Sequence, residues 1–155
     1  MRKRAKAKRE IAPDPKFGSV VITKFINHLM RRGKKTVAQR ILYDAFDQMS
    51  SKTKQDPLQI FDLALKNVSP VLETKPRRIG GANYQIAIEV RPERRQTLAM
   101  RWILQAAREK KGAPMAAKLA DEFIAASKKE GIAMKKREDI QRMAESNRAF
   151  SHFAY

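Results

Sequence analysis

The chain has 155 residues, 43% of them apolar, which suits a single folded domain with a core of its own. It contains no cysteine, and this excludes disulfides, thiolate metal sites and thiol nucleophiles. Its 34 lysines and arginines against 16 aspartates and glutamates give a formal net charge of +18. A charge of this size predicts a polyanionic partner, nucleic acid before an anionic membrane surface.

We expect no membrane-spanning helix, because the longest uninterrupted apolar run is the four residues Phe123–Ala126, whereas a span needs about 20. The basic residues at positions 2–4 resemble the start of an export signal. Pro13 and Pro15 interrupt the chain before any apolar stretch follows, so we expect no export. The sequence therefore predicts a soluble, cytoplasmic protein.

Residues 1–18 are predicted to form an N-terminal arm rather than a helix, because prolines and Gly18 follow the basic stretch without any apolar periodicity. A merely solvated tail is the alternative. The concentration of charge favours contact with nucleic acid instead. The basic residues concerned are Arg2, Lys3, Arg4, Lys6, Lys8 and Arg9.

Apolar residues at helical spacing predict three helices in the first half of the chain. The first begins after the favourable N-cap Ser19 and continues to Gly33. The second begins at Thr36 and fades into the polar residues 50–55. The third begins with Pro57 at its first position and is stopped by Pro70.

The pattern then changes to a period of two, because apolar and polar side chains alternate through Tyr84–Val90. Leu72–Arg78 faces this strand across Gly80 and Gly81, which together predict an exposed β-hairpin. Pro76 is expected to lose one hydrogen bond of the strand ladder. Because a lone hairpin is marginally stable, its base should pack on the helical body while its tip projects.

Three further helices are predicted after the hairpin. The fourth covers Pro92–Gly112, the fifth covers Pro114–Gly131 with Gly131 as its left-handed cap, and the sixth lies around Ile140–Asn147. The expected fold is thus mainly α: a bundle of six helices, a protruding two-stranded β-hairpin between helices three and four, and a basic N-terminal arm. We expect one helical domain over residues 19–148 and a short tail over residues 149–155.

No catalytic motif is found. Gly33–Thr36 resembles the end of a phosphate-binding loop, but that motif requires glycine where His28 stands and serine or threonine where Lys35 stands. His28 and His152 are the only histidines, and neither has a second ligand at a metal-binding spacing. The sequence therefore predicts no enzymatic activity, no metal and no cofactor.

The basic residues of the domain are clustered rather than interspersed with acids, which favours nucleic-acid contact over a simple solvated surface. On the fourth helix, Arg94, Arg101 and Arg108 are spaced to share a face opposite Trp102. Arginine predominates there, and its planar guanidinium suits paired contacts to phosphate. The predicted RNA-binding residues outside the arm are Arg31, Arg32, Lys34, Lys35, Lys75, Arg77, Arg78, Arg91, Arg94, Arg95, Arg101, Arg108, Lys110, Lys111, Lys135, Lys136, Arg137 and Arg142.

The hairpin tip offers a second kind of contact. Glycines allow it to approach another backbone closely, and Tyr84 could stack on a base. An ordinary turn with Tyr84 packed at its base explains the same residues equally well. The tip residues are Ile79, Gly80, Gly81, Ala82, Asn83 and Tyr84.

The segment Lys75–Arg95, read as KPRRIGGANYQIAIEVRPERR, closely resembles the signature of the small-subunit ribosomal protein seven family. Further segments match family positions in order along nearly the whole chain. They are Pro13–Pro15, Lys24–Asn27, Gly33–Lys35, Leu98–Trp102 and Met143–Phe150.

The resemblance implies six helices with a long β-hairpin, and a role in the ribosome. Members of the family bind the 3′ domain of the small-subunit ribosomal RNA, nucleate assembly of the subunit head, and lie near the exit-site transfer RNA and messenger RNA. The tip would face that transfer RNA and small-subunit protein eleven, and protein nine is a further expected neighbour.

The chain departs from the family pattern at Ala87, where many members have proline, and at the C-terminal Phe153–Tyr155, where a basic residue and tryptophan are usual. The second departure puts a contact by the extreme C-terminus in doubt. Two rival interpretations remain: a DNA-binding architectural protein with a β-arm, and a membrane-surface protein, which would need a single strongly amphipathic helix.

Overall fold

The computed structural model describes residues 10–149. Within this part of the chain the fold is mainly helical, with a β-hairpin between the third and fourth helices, as expected. The elements in chain order are α1 (Val20–Leu29), α2 (Lys35–Thr53), α3 (Pro57–Val68), β1 (Leu72–Ile79), β2 (Ala82–Glu89), α4 (Pro92–Glu109), α5 (Met115–Ser127) and α6 (Ile132–Ser146).

Local signals explain several helix ends. The Asp56 side chain accepts a hydrogen bond from the Leu58 N–H at 3.0 Å, and Pro57 occupies the first position of α3. α1 stops at Leu29, earlier than the predicted end at Gly33, because Met30 leaves the helical conformation with ψ 136°. The residues between Leu29 and α2 therefore form a turn.

Four phenylalanines from four helices form the centre of the core. Phe25, Phe46, Phe61 and Phe123 are at most 1% exposed. The Phe61 and Phe123 ring centroids are 5.3 Å apart, and those of Phe25 and Phe61 are 5.6 Å apart in an edge-to-face arrangement. Rings packed in this way stabilise the fold beyond the area they bury. The aromatic cluster thus fixes α1, α2, α3 and α5 relative to one another.

β1 and β2 pair in antiparallel register from Leu72 opposite Glu89 to Ile79 opposite Ala82. Gly80 and Gly81 have φ values of 56° and 88°, and a two-residue type I′ turn requires positive φ at both positions. Hydrogen-bonded and non-hydrogen-bonded pairs alternate away from the closing pair Ile79 and Ala82. Pro76 opposite Gln85 then falls at a non-hydrogen-bonded position, so the expected loss of a ladder hydrogen bond was wrong.

The base of the hairpin packs on the helices and its outer part is exposed. Ile86 and Val90 are each 2% exposed. Thr74 Oγ1 donates to Met143 Sδ of α6 at 3.6 Å. Lys75–Arg78, in contrast, is exposed throughout. This distribution is the one that the marginal stability of a lone hairpin predicts.

Gly131 does not cap α5, which corrects the expectation from sequence. α5 ends at Ser127, the left-handed residue that follows is Lys129 with φ 63°, and Gly131 directly precedes α6 with φ 96°. A Cβ atom on Gly131 would lie 3.0 Å from Glu122 Oε1 and 3.1 Å from Ala125 Cβ. Glycine is therefore needed for the entry into α6, where helix α5 passes close to the backbone.

The last residues of the predicted arm pack on α2. Asp14 is 2% exposed and accepts a hydrogen bond from the Tyr43 hydroxyl at 2.9 Å. Phe17 makes edge-to-face contacts with Tyr43 and Phe46 at centroid distances of 5.6 and 5.3 Å. Burial of the Tyr43 side chain, and then its contact with Asp14, raises the pKa of Tyr43. The chain is thus held against α2 from Asp14 onwards.

Candidate nucleic-acid interface

The turn between α1 and α2 presents four basic side chains. Arg31, Arg32, Lys34 and Lys35 are all exposed. Arg32 and Gly33 adopt left-handed conformations with φ 52° and 73°, and the Lys34 N–H donates to the Arg31 carbonyl at 3.1 Å. The tight turn holds these cations together at the N-terminus of α2, whose first turn contains no acidic residue.

The exposed face of α4 continues this basic surface. Arg101 and Arg108, two helical turns apart, are both exposed, whereas Trp102 faces the core. Burial and then the charge of Arg31 lower the pKa of Arg108. Burial and then the charge of Arg101 lower the pKa of His28. Like charges thus lie close together here, and we call Arg31, Arg32, Lys34, Lys35, Arg101 and Arg108 the basic face.

A groove crosses one end of the basic face, between the α1–α2 turn and the junction of α4 with α5. Its volume is about 430 Å³. Arg31, Lys34, Arg108 and Lys118 line it, and no acidic residue does. Its remaining lining is apolar and comes from Leu29, Val37, Ala38, Ile41 and Met115.

The start of α4 is different, because its arginines contact carboxylates of the hairpin. Arg94 Nε lies 2.9 and 2.8 Å from the two carboxylate oxygens of Glu73, which is 8% exposed. Arg95 donates to the Val90 carbonyl at 2.7 Å and to Glu89 at 2.9 Å. The two side chains therefore join the hairpin base to α4, and Arg94 does not share the surroundings of Arg101 and Arg108.

Other predicted residues near the hairpin are more exposed. Arg91 lies at the N-cap of α4, and Lys75 forms a 3.2 Å ion pair with Glu73. At the tip, Ile79 and Tyr84 are half-buried, whereas the remaining predicted residues are exposed; these are Arg77, Arg78, Gly80, Gly81, Ala82 and Asn83.

Three of the six predicted lysines and arginines from Lys110 onwards contact other residues of the fold. Lys110 Nζ lies 2.7 Å from Glu122 Oε2, outside hydrogen-bonding geometry, and the Arg137 guanidinium donates to the Asn67 carbonyl at 2.9 Å. Lys136 donates to Gln105 at 2.5 Å. The remaining three, Lys111, Lys135 and Arg142, are exposed. The six basic residues predicted in the arm, from Arg2 to Arg9, lie outside the described residues.

Sequence reasoning missed one buried carboxylate that organises this region. Glu122 has no exposed surface, and its Oε1 accepts a hydrogen bond from the Ala133 N–H at 3.0 Å in the first turn of α6. Its position among Ala120, Phe123 and Ala126 on the buried side of α5 was the available signal.

Among residues 10–149, no group of three or more His, Cys, Asp or Glu side chains is arranged to hold a metal ion. In the same part of the chain, no helix combines the length and the apolar character that crossing a bilayer requires. The described surface is thus distinguished by cations rather than by a catalytic constellation. Fold and surface together define a mainly helical protein built to bind a polyanion.

Comparison with known proteins gives the family. The family described as Ribosomal protein S7p/S5e matches residues 1–148. The chain is 57% identical over 155 residues to the small ribosomal subunit protein uS7 of Thermotoga maritima, with 100% of both chains covered. It is 54% identical over 154 residues to the protein of the same name from Teredinibacter turnerae, with 99% of each covered.

The chain therefore belongs to the ribosomal protein S7 family, as the resemblance indicated. As a member, it is a structural and non-enzymatic constituent of the small ribosomal subunit and acts in translation.

Proposed function

We propose that this protein binds the 3′ domain of the small-subunit ribosomal RNA directly and nucleates assembly of the subunit head. The basic face carries the proposal. After burial, the charge of Arg31 lowers the pKa of Arg108 and the charge of Arg101 lowers the pKa of His28. Across the described residues, no ion pair or hydrogen bond to a carboxylate is seen for Arg31, Arg101 or Arg108. Phosphates would relieve this repulsion and release counterions.

The hairpin supplies the second part of the proposal. The side chains of Lys75–Arg78 and residues 80–83 are exposed, and the two-glycine turn allows the tip to approach another backbone closely. We infer that the tip contacts the exit-site transfer RNA and the messenger RNA region, with small-subunit proteins nine and eleven as neighbours. The arm, from Arg2 to Arg9, would add contacts to the ribosomal RNA.

Filter binding over a salt series tests the first part. The probes are the 3′ domain RNA, a scrambled RNA and duplex DNA of equal length. We expect the 3′ domain RNA to bind at least about 1,000-fold more tightly near physiological salt, the lower end of the preference that specific nucleic-acid complexes show. Equal binding of all three, abolished by salt, would favour the architectural DNA-binding rival.

A matched pair of variants locates the surface. Arg101→Gln should weaken binding of the 3′ domain RNA and reduce the slope of log K against log salt by about one. Arg40→Gln removes an exposed arginine of α2 that is not part of the basic face, and it should leave the slope nearly unchanged. Equal effects of the two changes would mean that net charge, not the basic face, governs binding.

A further inference from the structure

The groove beside the basic face has apolar lining residues, which phosphate binding does not explain. Val37 lies in the first turn of α2, close in sequence to Lys34 and Lys35, and its side chain is 50% exposed. Ile41, one helical turn further along, is half-buried in the same lining. A surface built only to attract a phosphate backbone would have no need of exposed branched side chains among its cations.

The groove instead offers the two features that a single nucleotide needs, an apolar surface for the base and cations for the phosphate. Its volume of about 430 Å³ falls in the range of roughly 300–1,000 Å³ that small-molecule pockets occupy. Five of its lining residues are apolar, and Arg31 and Arg108 belong to the same lining, close enough for one charge to act on the other. A nucleotide carries a flat apolar face and an anion within one residue, whereas an acidic peptide separates these features over several.

We propose that the groove receives one unstacked nucleotide of the bound RNA. Its base lies against Val37, Ile41 and Met115, and an adjacent phosphate lies between Arg31 and Arg108. Proteins that recognise RNA commonly bind bases splayed out of single-stranded loops and bulges. This inference rests on the proposed function and deepens it, because it makes the groove the place where one base is bound.

Replacing one apolar side chain of the lining tests the proposal without changing the charge of the protein. Val37→Ser should weaken binding of the 3′ domain RNA about fivefold, because a buried contact of one branched side chain is lost, while the salt slope stays the same. The matched control is Val20→Ser, since Val20 is 39% exposed in the first turn of α1 and does not line the groove. It should bind as the unchanged protein does.

An abasic scan of the RNA then identifies the nucleotide. Single abasic substitutions are placed through the unpaired positions of the 3′ domain RNA, and each RNA is titrated with the unchanged protein and with Val37→Ser. One position should weaken binding of the unchanged protein about fivefold and have little effect on the variant, because each change removes the same contact.

Two results would overturn this inference while leaving the proposed function intact: equal binding by Val37→Ser and the unchanged protein, or an abasic scan in which no position couples to Val37. In both, the 3′ domain RNA is still preferred. Failure of that preference in the unchanged protein would instead remove the proposed function and this inference together.

Discussion

Gly131 meets two constraints at one position. Its φ of 96° and ψ of 175° lie in a region that is almost restricted to glycine. It also passes within contact distance of the buried carboxylate that caps α6, since an added Cβ would lie 3.0 Å from Glu122 Oε1. The close approach and the backbone conformation together fix the entry into the last helix.

Gly131→Ala should therefore lower the free energy of unfolding by about 3 kcal/mol, from backbone strain and displacement of the Glu122 carboxylate. Urea unfolding followed by circular dichroism gives the value. Gly112→Ala is the control, because Gly112 also has a positive φ, 81°, but an added Cβ there meets nothing within 4 Å. The control should lose only about 1 kcal/mol. Equal losses would show that the Glu122 contact adds nothing.

His28 gives the fold a pH dependence whose sign follows from its surroundings. Burial and the charge of Arg101 lower its pKa in the folded protein below the usual 6.5. The unfolded chain therefore binds a proton first as pH falls. The contribution of neutral His28 to the free energy of unfolding is fully present above about pH 6.5. It is lost as the pH falls below that value towards the lowered pKa of the folded protein.

His28→Gln should consequently show a smaller loss of stability between pH 7.5 and pH 5.5 than the unchanged protein. Urea unfolding at both pH values measures it. His152→Gln removes the only other histidine and serves as the control. If His28→Gln and the unchanged protein lose equal stability over this interval, the lowered pKa of His28 in the folded protein does not contribute to the pH dependence of stability.

At the scale of elements, the hairpin depends on its attachment to α4. Glu73 of β1 is nearly buried, and the Arg94 guanidinium lies against both of its oxygens. The sequence alone predicts that alanine at Arg94, Arg95 and Arg101 weakens RNA binding while the melting temperature hardly changes. The structure separates Arg94 and Arg95, which have partners within the fold, from Arg101.

Arg94→Ala should lower the free energy of unfolding by about 2 kcal/mol, because among residues 10–149 it leaves the buried Glu73 carboxylate with the exposed Lys75 as its one ionic partner. Arg101→Ala, the control on the same helix, should change the stability by less than about 0.5 kcal/mol and weaken RNA binding instead. Thermal unfolding and filter binding of both variants separate the roles. A stable Arg94→Ala protein would contradict the structural assignment.

Elements with a strong local pattern were predictable and contacts between distant residues were not. The period-two alternation of Tyr84–Val90 and the two glycines at the turn were enough to predict the hairpin, and Asp56 with Pro57 was enough to predict the start of α3. The buried ion pair of Glu73 depends on Arg94, 21 residues away, and no local pattern indicates that such a charge is buried. The position of Gly131 was misjudged for the same reason, since its neighbour Glu122 belongs to another helix.

For the whole molecule, the net charge of +18 opposes the compact state. Most of the lysines and arginines among residues 10–149 are exposed, so salt should screen their repulsion in the free protein. The same salt competes with phosphate for the basic face. Stability and RNA affinity should therefore respond to ionic strength in opposite directions.

Raising sodium chloride from 50 to 500 mM should increase the melting temperature of the free protein by about 3 °C, corresponding to about 1 kcal/mol. Differential scanning calorimetry measures this change. Sucrose at equal osmolality is the control for non-ionic effects. A melting temperature that is unchanged or lowered by salt would mean that the ion pairs of Glu73 and Glu122 outweigh the general repulsion.

Trp102, the only tryptophan, lies on the core side of α4 and is 6% exposed, whereas Arg101 and Arg108 are exposed on the same helix. Its fluorescence should consequently be blue-shifted in the folded protein and should move to longer wavelength when the core opens. A ligand on the basic face would not touch the indole. Emission from this one residue can therefore report folding in the same sample in which a labelled RNA reports binding.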